Sequence, residues 1–347
     1  MSPLLERLPV PIIGAPMAGG PSTVQLAAAV STAGGLGVLA GANLSVDAMG
    51  DRVQALRPAI GANGVFGVNL FLPTAEPTLD ADGRAALDRH LATLETWAQR
   101  YGVRRGEAAW DDDHWRAKID WLVAHPVSLV TFHFGAPPRE VVQELHALGT
   151  EVWTTVTSRA EARLAAESGL DALVVQGPEA GGHRGCFTTA LDDPDQQVPL
   201  LQLLGLVQSV TDLPLVAAGG LADAAAVAQV LSAGARAAQL GTAFLLCPEA
   251  GTAAPHRAAL ASDRPTAVTR AFSGRPARGI RNALLDELTD GAPALYPHLN
   301  RASQPIRAAS AAAGDEAAVA LWAGEQHSLA HAIPAADVVR AVAAGLH

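Results

Sequence analysis

Eight short apolar runs, most of them followed by an Ala-rich stretch, set the main constraint on how this 347-residue chain can fold. The runs are 11–16, 36–40, 64–71, 127–134, 151–157, 172–176, 214–218 and 237–242. Uninterrupted apolar runs of this length read as parallel strands buried on both faces. Between most of them, 24–33, 46–56, 139–148, 159–167, 198–210 and 224–233 read as crossover helices. Ser158 and Asp223 stand at N-cap positions, and Gly149, Gly169 and Gly234 close three of the helices. Eight strands with crossover helices predict an α/β chain folded as a (β/α)8 TIM barrel, ahead of a doubly wound open sheet.

Two regions fall outside this alternation. Residues 73–124 carry charges and predict one or two surface helices inserted after the third strand. Residues 247–324 follow the eighth strand and hold seven prolines, from Pro248 to Pro305, with helical pieces near 282–288 and 301–313. The expected organisation is a barrel over 1–246, a small capping and substrate domain over 247–324, and a C-terminal segment, 325–347, whose helix near 335–344 returns to the barrel.

Charge and cysteine content exclude several classes. The chain has 24 Lys+Arg against 34 Asp+Glu, a formal charge of −10, and no basic cluster for a nucleic acid to meet. Residues 8–46 hold no charged side chain, but prolines and glycines break the stretch before it reaches the ~20 apolar residues of a bilayer-spanning helix. No basic leader opens the sequence. Cys186 and Cys247 make neither a disulfide framework nor a metal-ligand spacing, so the expected setting is cytoplasmic, with no metal site.

In a (β/α)8 barrel the chemistry sits at the C-terminal strand ends, with a phosphate commonly held after strands 7 and 8. Gly219-Gly220 follows the seventh run and leads into a helix; Gln239-Leu240-Gly241-Thr242 ends the eighth. Paired glycines allow close backbone approach to an anion, and a helix start offers free N–H groups. The absence of Walker and GxGxxG patterns disfavours nucleoside triphosphate and Rossmann-type binding. The sixth run ends in the densest constellation, Gln176 to Gly185, where Gly181 and Gly182 precede His183 and Arg184. His183 is the candidate base, since imidazole titrates near neutrality, and Arg184 is a candidate helper for an anion. His90, His114, His256, His298, His327 and His347 read as ordinary surface histidines. His133, at the end of the fourth run, reads equally well as a catalytic group or a packed core histidine, with Phe132 and Phe134 on the opposite face. Asn69 ends the third run and suits a heterocycle edge; Met17, after the first, suits an apolar wall.

Together these pieces resemble the nitronate monooxygenase family, formerly the 2-nitropropane dioxygenases. The matching stretches are PIIGAPMAGG (11–20), GVNLF (67–71), TFHFG (131–135), VVQGPEAGGHRG (174–185), VAAGGLAD (216–223), GARAAQLGTAF (234–244) and LWAG (321–324), covering nearly the whole chain. The resemblance implies an FMN-binding (β/α)8 barrel with a small second domain. It implies flavin contacts from Met17, Asn69, Gln176, Gly181, Gly182, Gly219, Gly220, Gln239, Leu240, Gly241 and Thr242, with Gly220 and 239–242 on the phosphate. It casts His183 as the catalytic histidine, with His133 in support. A second branch of the family places its base on the segment matching 152–155, which here is Val-Trp-Thr-Thr and has no histidine. The implied activity is oxidative denitrification of nitronates or nitroalkanes with O2, giving carbonyl compounds and nitrite. Rival readings are a flavin-type enoyl-acyl-carrier-protein reductase using NAD(P)H, and a flavin-binding protein without catalysis. An aldolase-type barrel is disfavoured, because Lys118 is the only lysine and lies in the 73–124 insertion.

Overall fold

The eight predicted runs pair side by side into a closed parallel barrel, β1-β2-β3-β4-β5-β6-β8-β9. The strands are β1 (Ile12–Gly14), β2 (Leu36–Ala40), β3 (Phe66–Phe71), β4 (Leu129–His133), β5 (Glu151–Val156), β6 (Ala172–Gln176), β8 (Leu215–Ala218) and β9 (Ala237–Leu240). Closure comes from β1 lying parallel to β9, Ile13 opposite Gln239. The structure is a computed structural model that describes residues 2–189 and 193–346.

Around the barrel stand α2 (Val24–Thr32), α3 (Val46–Ile60), α5 (Trp115–Ala124), α6 (Arg139–His146), α7 (Arg159–Ala166), α8 (Leu200–Gln208), α9 (Ala224–Ser232) and α13 (Ala335–Ala344). The caps read from sequence form: Ser158 Oγ accepts from Glu161 N at 3.3 Å and Asp223 Oδ1 from Ala226 N at 2.8 Å. α13 lies against α2 and α9 and fills the eighth helix position.

The 73–124 insertion divides differently from the sequence reading. α5 is the barrel's own crossover helix between β3 and β4. The other helix, α4 (Ala81–Arg100), is not a free surface helix: Leu94, Trp97 and Ala98 pack with Phe272, Leu284, Leu285 and Ile306 of the post-barrel block. That block contains α10 (Ala254–Leu260), a hairpin of β10 (Thr266–Thr269) and β11 (Ala277–Ile280), α11 (Ala283–Leu288) and α12 (His298–Ala312). The hairpin gains a third strand from the barrel side, β7 (Gly182–His183), with His183 opposite Ala277. Two residues carry no periodicity, so this strand is invisible in the sequence.

The far end of the barrel is closed by α1 (Pro3–Arg7). Leu4 inserts among the lumen side chains Leu36, Leu129 and Trp153. Glu151 anchors the plug, accepting from Ser2 Oγ at 2.5 Å, Leu4 N at 2.6 Å and Trp153 Nε1 at 3.0 Å. Glu151→Ala strands the Trp153 N–H in the lumen and frees the plug, so it should lower stability by ~1–3 kcal/mol. The check is the Tm together with cofactor content per folded protein. The first should fall and the second hold, because the plug lies at the opposite end of the barrel from the cavity. An unchanged Tm would remove Glu151 as the anchor.

Candidate active site

At the C-terminal ends of the strands lies a cavity of about 620 Å³, walled by the barrel loops below and by α12 and the 319–326 segment above. Met17, Asn69, His133, Gln176, Gly181, Gly182, His183, Gly219, Gly220, Gln239, Gly241 and Thr242 all line it. The residues picked out along more than 200 positions of sequence therefore converge. Leu240 is the exception: its side chain points outward into the core between strands and helices, so only its backbone lies at this strand end.

The strand ends after β8 and β9 make an anion cradle. Gly219 and Gly220 sit at φ +116° and +68°, a region that disfavours side chains. The backbone N–H groups of Gly219, Gly220 and Gly241 make no hydrogen bond among the described residues. Thr242 Oγ1 accepts from Gly324 N at 3.0 Å, tying the cradle to the 319–326 segment. Unpaired donors facing a cavity are costly unless a ligand or water meets them. The arrangement fits the terminal phosphate of a flavin mononucleotide.

His183 is fixed from two sides. Its carbonyl accepts from Gln176 Nε2 at 3.0 Å and from His133 Nε2 at 3.3 Å. Its imidazole Nε2 lies 2.9 Å from Ser273 Oγ. Ser273 Oγ accepts from Arg275 N and donates to Arg275 O, both at 3.3 Å. The Ser273 contact therefore commits Nε2 of His183, and Nδ1 makes no hydrogen bond among the described residues. Phe71, Phe134, Tyr296 and Trp322 surround the ring, with centroids 5.6 to 6.0 Å away. Burial in this box, followed by His133, Arg275 and Arg307, pushes the His183 pKa down to about 3. Burial lowers His133 to about 4, only partly opposed by its bond to the His183 carbonyl. Both rings are neutral at pH 7.

Several expectations change here. Gln176 lines the cavity, but its carboxamide braces the loop: Oε1 accepts from Gly185 N at 2.9 Å while Nε2 holds His183. Arg184 does not reach the cavity. It is buried and donates to the carbonyls of Gln176, Gly177 and Gln196. Phe132 packs outward as alternation requires, but Phe134 breaks the alternation. At φ +75° it leaves the strand and turns toward His183, with the Arg275 guanidinium 3.9 Å above its ring. His90, His256, His298 and His327 are buried, not surface, residues; His347 lies outside the described residues. Asn69 is held by Thr131, Nδ2 to Oγ1 at 2.9 Å. Gly185 explains part of the glycine density, since a Cβ there would fall 2.5 Å from Thr155 Cγ2 and 2.9 Å from His133 Cε1.

Sequence reasoning missed Ser273, Arg275, Tyr296, Arg307 and Trp322. All come from the post-barrel block, where no strand-end rule applies. Trp322 alone fell within a recognised stretch. Among the described residues, no cluster of three or more His, Cys, Asp or Glu could hold a metal, and no helix is long and apolar enough to cross a membrane.

The chain is similar to known proteins over nearly its whole length. The sequence model of a family described as nitronate monooxygenase matches residues 2–345. A nitronate monooxygenase of Pseudomonas aeruginosa is 38% identical over 335 residues, 95% of this chain and 94% of that protein. A probable nitronate monooxygenase of Staphylococcus aureus is 31% identical over 95% of this chain and 92% of its own length. Among solved structures, nitroalkane oxidase from Streptomyces ansochromogenes superposes with a TM-score of 0.94 at 43% identity, covering 99% of this chain and 97% of that one. FabK from Thermotoga maritima gives 0.74 at 25% identity, over 100% and 96% of the two chains.

Histidines whose pKa values are depressed in the fold set an acid limit on stability. His183, His133 and His256 have folded pKa values pushed to about 3, 4 and 4, against ~6.5 in an unfolded chain. Between pH 6.5 and about 4 the unfolded chain binds more protons, so stability rises with pH in that window and is complete above it. The Tm should fall steadily from pH 7 to pH 5, and less steeply in His133→Gln. Parallel profiles for the two proteins would show that His133 is not held neutral.

Proposed function

The chain belongs to the nitronate monooxygenase family, and we propose that it is an FMN-dependent enzyme converting nitronates, and with His183 as base nitroalkanes, to carbonyl compounds and nitrite with O2. The observation that carries this reading is a half-buried His183 of depressed pKa, with one committed and one free ring nitrogen, on the same cavity as an anion cradle. The unpaired N–H groups of Gly219, Gly220 and Gly241, with Thr242, would hold the FMN phosphate. Met17, Asn69, Gly181, Gly182 and Gln239 would border the rest of the cofactor, and Leu240 would contribute backbone only. When bound, FMN supplies the electron-transfer and dioxygen chemistry.

The chain's own residues do the rest. Ser273 fixes the ring through Nε2, and with that nitrogen protonated Nδ1 is the acceptor for a substrate α-proton. His133 acts through His183, holding its carbonyl, and is a positioning residue. The aromatic ring of Phe71, Phe134, Tyr296 and Trp322 excludes water from that nitrogen. The 247–324 block, with α4 packed on it, serves as the cap that shelters the reaction. The free, buried Cys186 and Cys247 suit a reducing cytoplasm.

The direct test is the purified protein itself. A yellow protein that releases FMN on denaturation and forms nitrite from a nitronate supports the reading. Rapid anaerobic bleaching by NADH would favour the enoyl-reductase alternative instead.

A base is needed only when the substrate still carries its α-proton. His183→Asn should lower turnover of a neutral nitroalkane by ~10²–10⁴-fold and spare most of the rate with the pre-formed nitronate. Equal losses with both substrates would overturn the role of His183 as base, and wild-type rates with both would remove it from the mechanism.

A further inference from the structure

Helix α12 turns one face to the cavity: Asn300, Gln304, Arg307, Ala308 and Ala311 all line it, at spacings that place them on one side of a helix. Four arginines of the post-barrel block, Arg257, Arg270, Arg275 and Arg307, pair with no carboxylate among the described residues, and of these Arg307 lines the cavity. Arg264, Arg278 and Arg301 pair with Glu316, Glu325 and Asp111. Arg307 pairs with no carboxylate among the described residues. Its guanidinium donates only from Nη2, to the carbonyl and Oδ1 of Asn300, each at 2.9 Å, and Asn300 Nδ2 is in turn anchored on Asn43 Oδ1 at 3.1 Å. Its Nε is buried without a partner. The positive charge reaches His183, whose protonation it disfavours.

We propose that Arg307 is the recognition site for the two-oxygen anionic head of the substrate, with the small side chains one turn further along α12 receiving its alkyl tail. This rests on the nitronate reading above and names the residue that selects for it. A half-buried cation without a counter-ion, its Nε shut off from solvent, gains from a ligand that supplies the opposite charge. The planar guanidinium matches a planar pair of oxygens, which a nitronate shares with a carboxylate. A neutral nitroalkane lacks the net charge. Ala311, one turn beyond Arg307, packs with Leu245 and Val319, and all three line the cavity, an apolar wall for a short chain. The nitronate of the proposed reaction would then lie head-first at the cap, with His183 toward the carbon that bears the nitro group.

The holoenzyme tests this with butyrate, which carries the same planar anion and cannot be denitrified. Its binding is read by calorimetry or by perturbation of the visible spectrum. Butyrate should bind at least ~10-fold more tightly than butyramide, and affinity should rise about fourfold per methylene from acetate to butyrate. Arg307→Met should weaken butyrate ~10- to 100-fold and raise KM for butyl nitronate more than it lowers kcat, with Arg307→Lys in between. Equal binding of acid and amide overturns the proposal, and needs no variant to fold. So does a yellow Arg307→Met protein with wild-type butyrate affinity, or one that loses flavin, which would assign Arg307 to the cofactor. A wild-type enzyme that binds butyrate but forms no nitrite from butyl nitronate would instead sink the functional reading while leaving the anion site standing.

Discussion

The attachment of His183 to both halves of the molecule is the constraint on which the site depends. Its carbonyl is held by side chains from β4 and β6, and its ring by a serine from the hairpin of the post-barrel block. Its backbone is a strand of that block's sheet. A loop of nine residues leaving a barrel strand would ordinarily be mobile. Here the glycines let it pack without side-chain obstruction, and the hydrogen bonds of Gln176 and Arg184 stitch it to its own base. The imidazole is therefore held on a rigid support, although it lies on what the sequence describes as a loop.

That double attachment also decides what was legible in the sequence. The barrel was, because each of its strands is a local apolar run and local runs reveal themselves in order. The glycines of the cradle were too, because the Gly219-Gly220 pair and Gly241, at the ends of the seventh and eighth runs, are local signals read against a known barrel position, and all three line the cavity. His183 stood out by its glycine-rich surroundings. Ser273 did not, since its bond to His183 spans 90 positions and no periodicity marks it. Arg307 likewise sits in a helix with polar residues on several faces, and only the fold shows which face looks into the cavity. Gln176 shows a subtler limit: its place was right, but its partners lie within the loop it was expected to border.

Electrostatics ties these parts together. Arg184 and Arg275 are buried near the two histidines, and their N–H groups go mainly to carbonyls, such as those of Gln176 and Cys186, not to carboxylates. Carbonyls satisfy donors without cancelling charge, so these guanidiniums still act on the imidazoles. Desolvation first, and these cations after it, hold both imidazoles below their ordinary pKa. A neutral ring can accept a proton, whereas a cationic one cannot.

The demands of anion and base then reinforce each other through linkage. Desolvation and the neighbouring cations hold His183 far below its ordinary pKa, which makes it a weak proton acceptor. Bringing a negative group beside Arg307 offsets the charge that helped depress it, and an anion in a low-dielectric site favours protonation of a nearby imidazole. By reciprocity, a protonated His183 favours the anion. Removal of an α-proton does both at once: it moves the proton to Nδ1 and leaves the negative charge on the two oxygens. The site is better matched to the products of that transfer than to its reactants, which is the condition for lowering the barrier to the step.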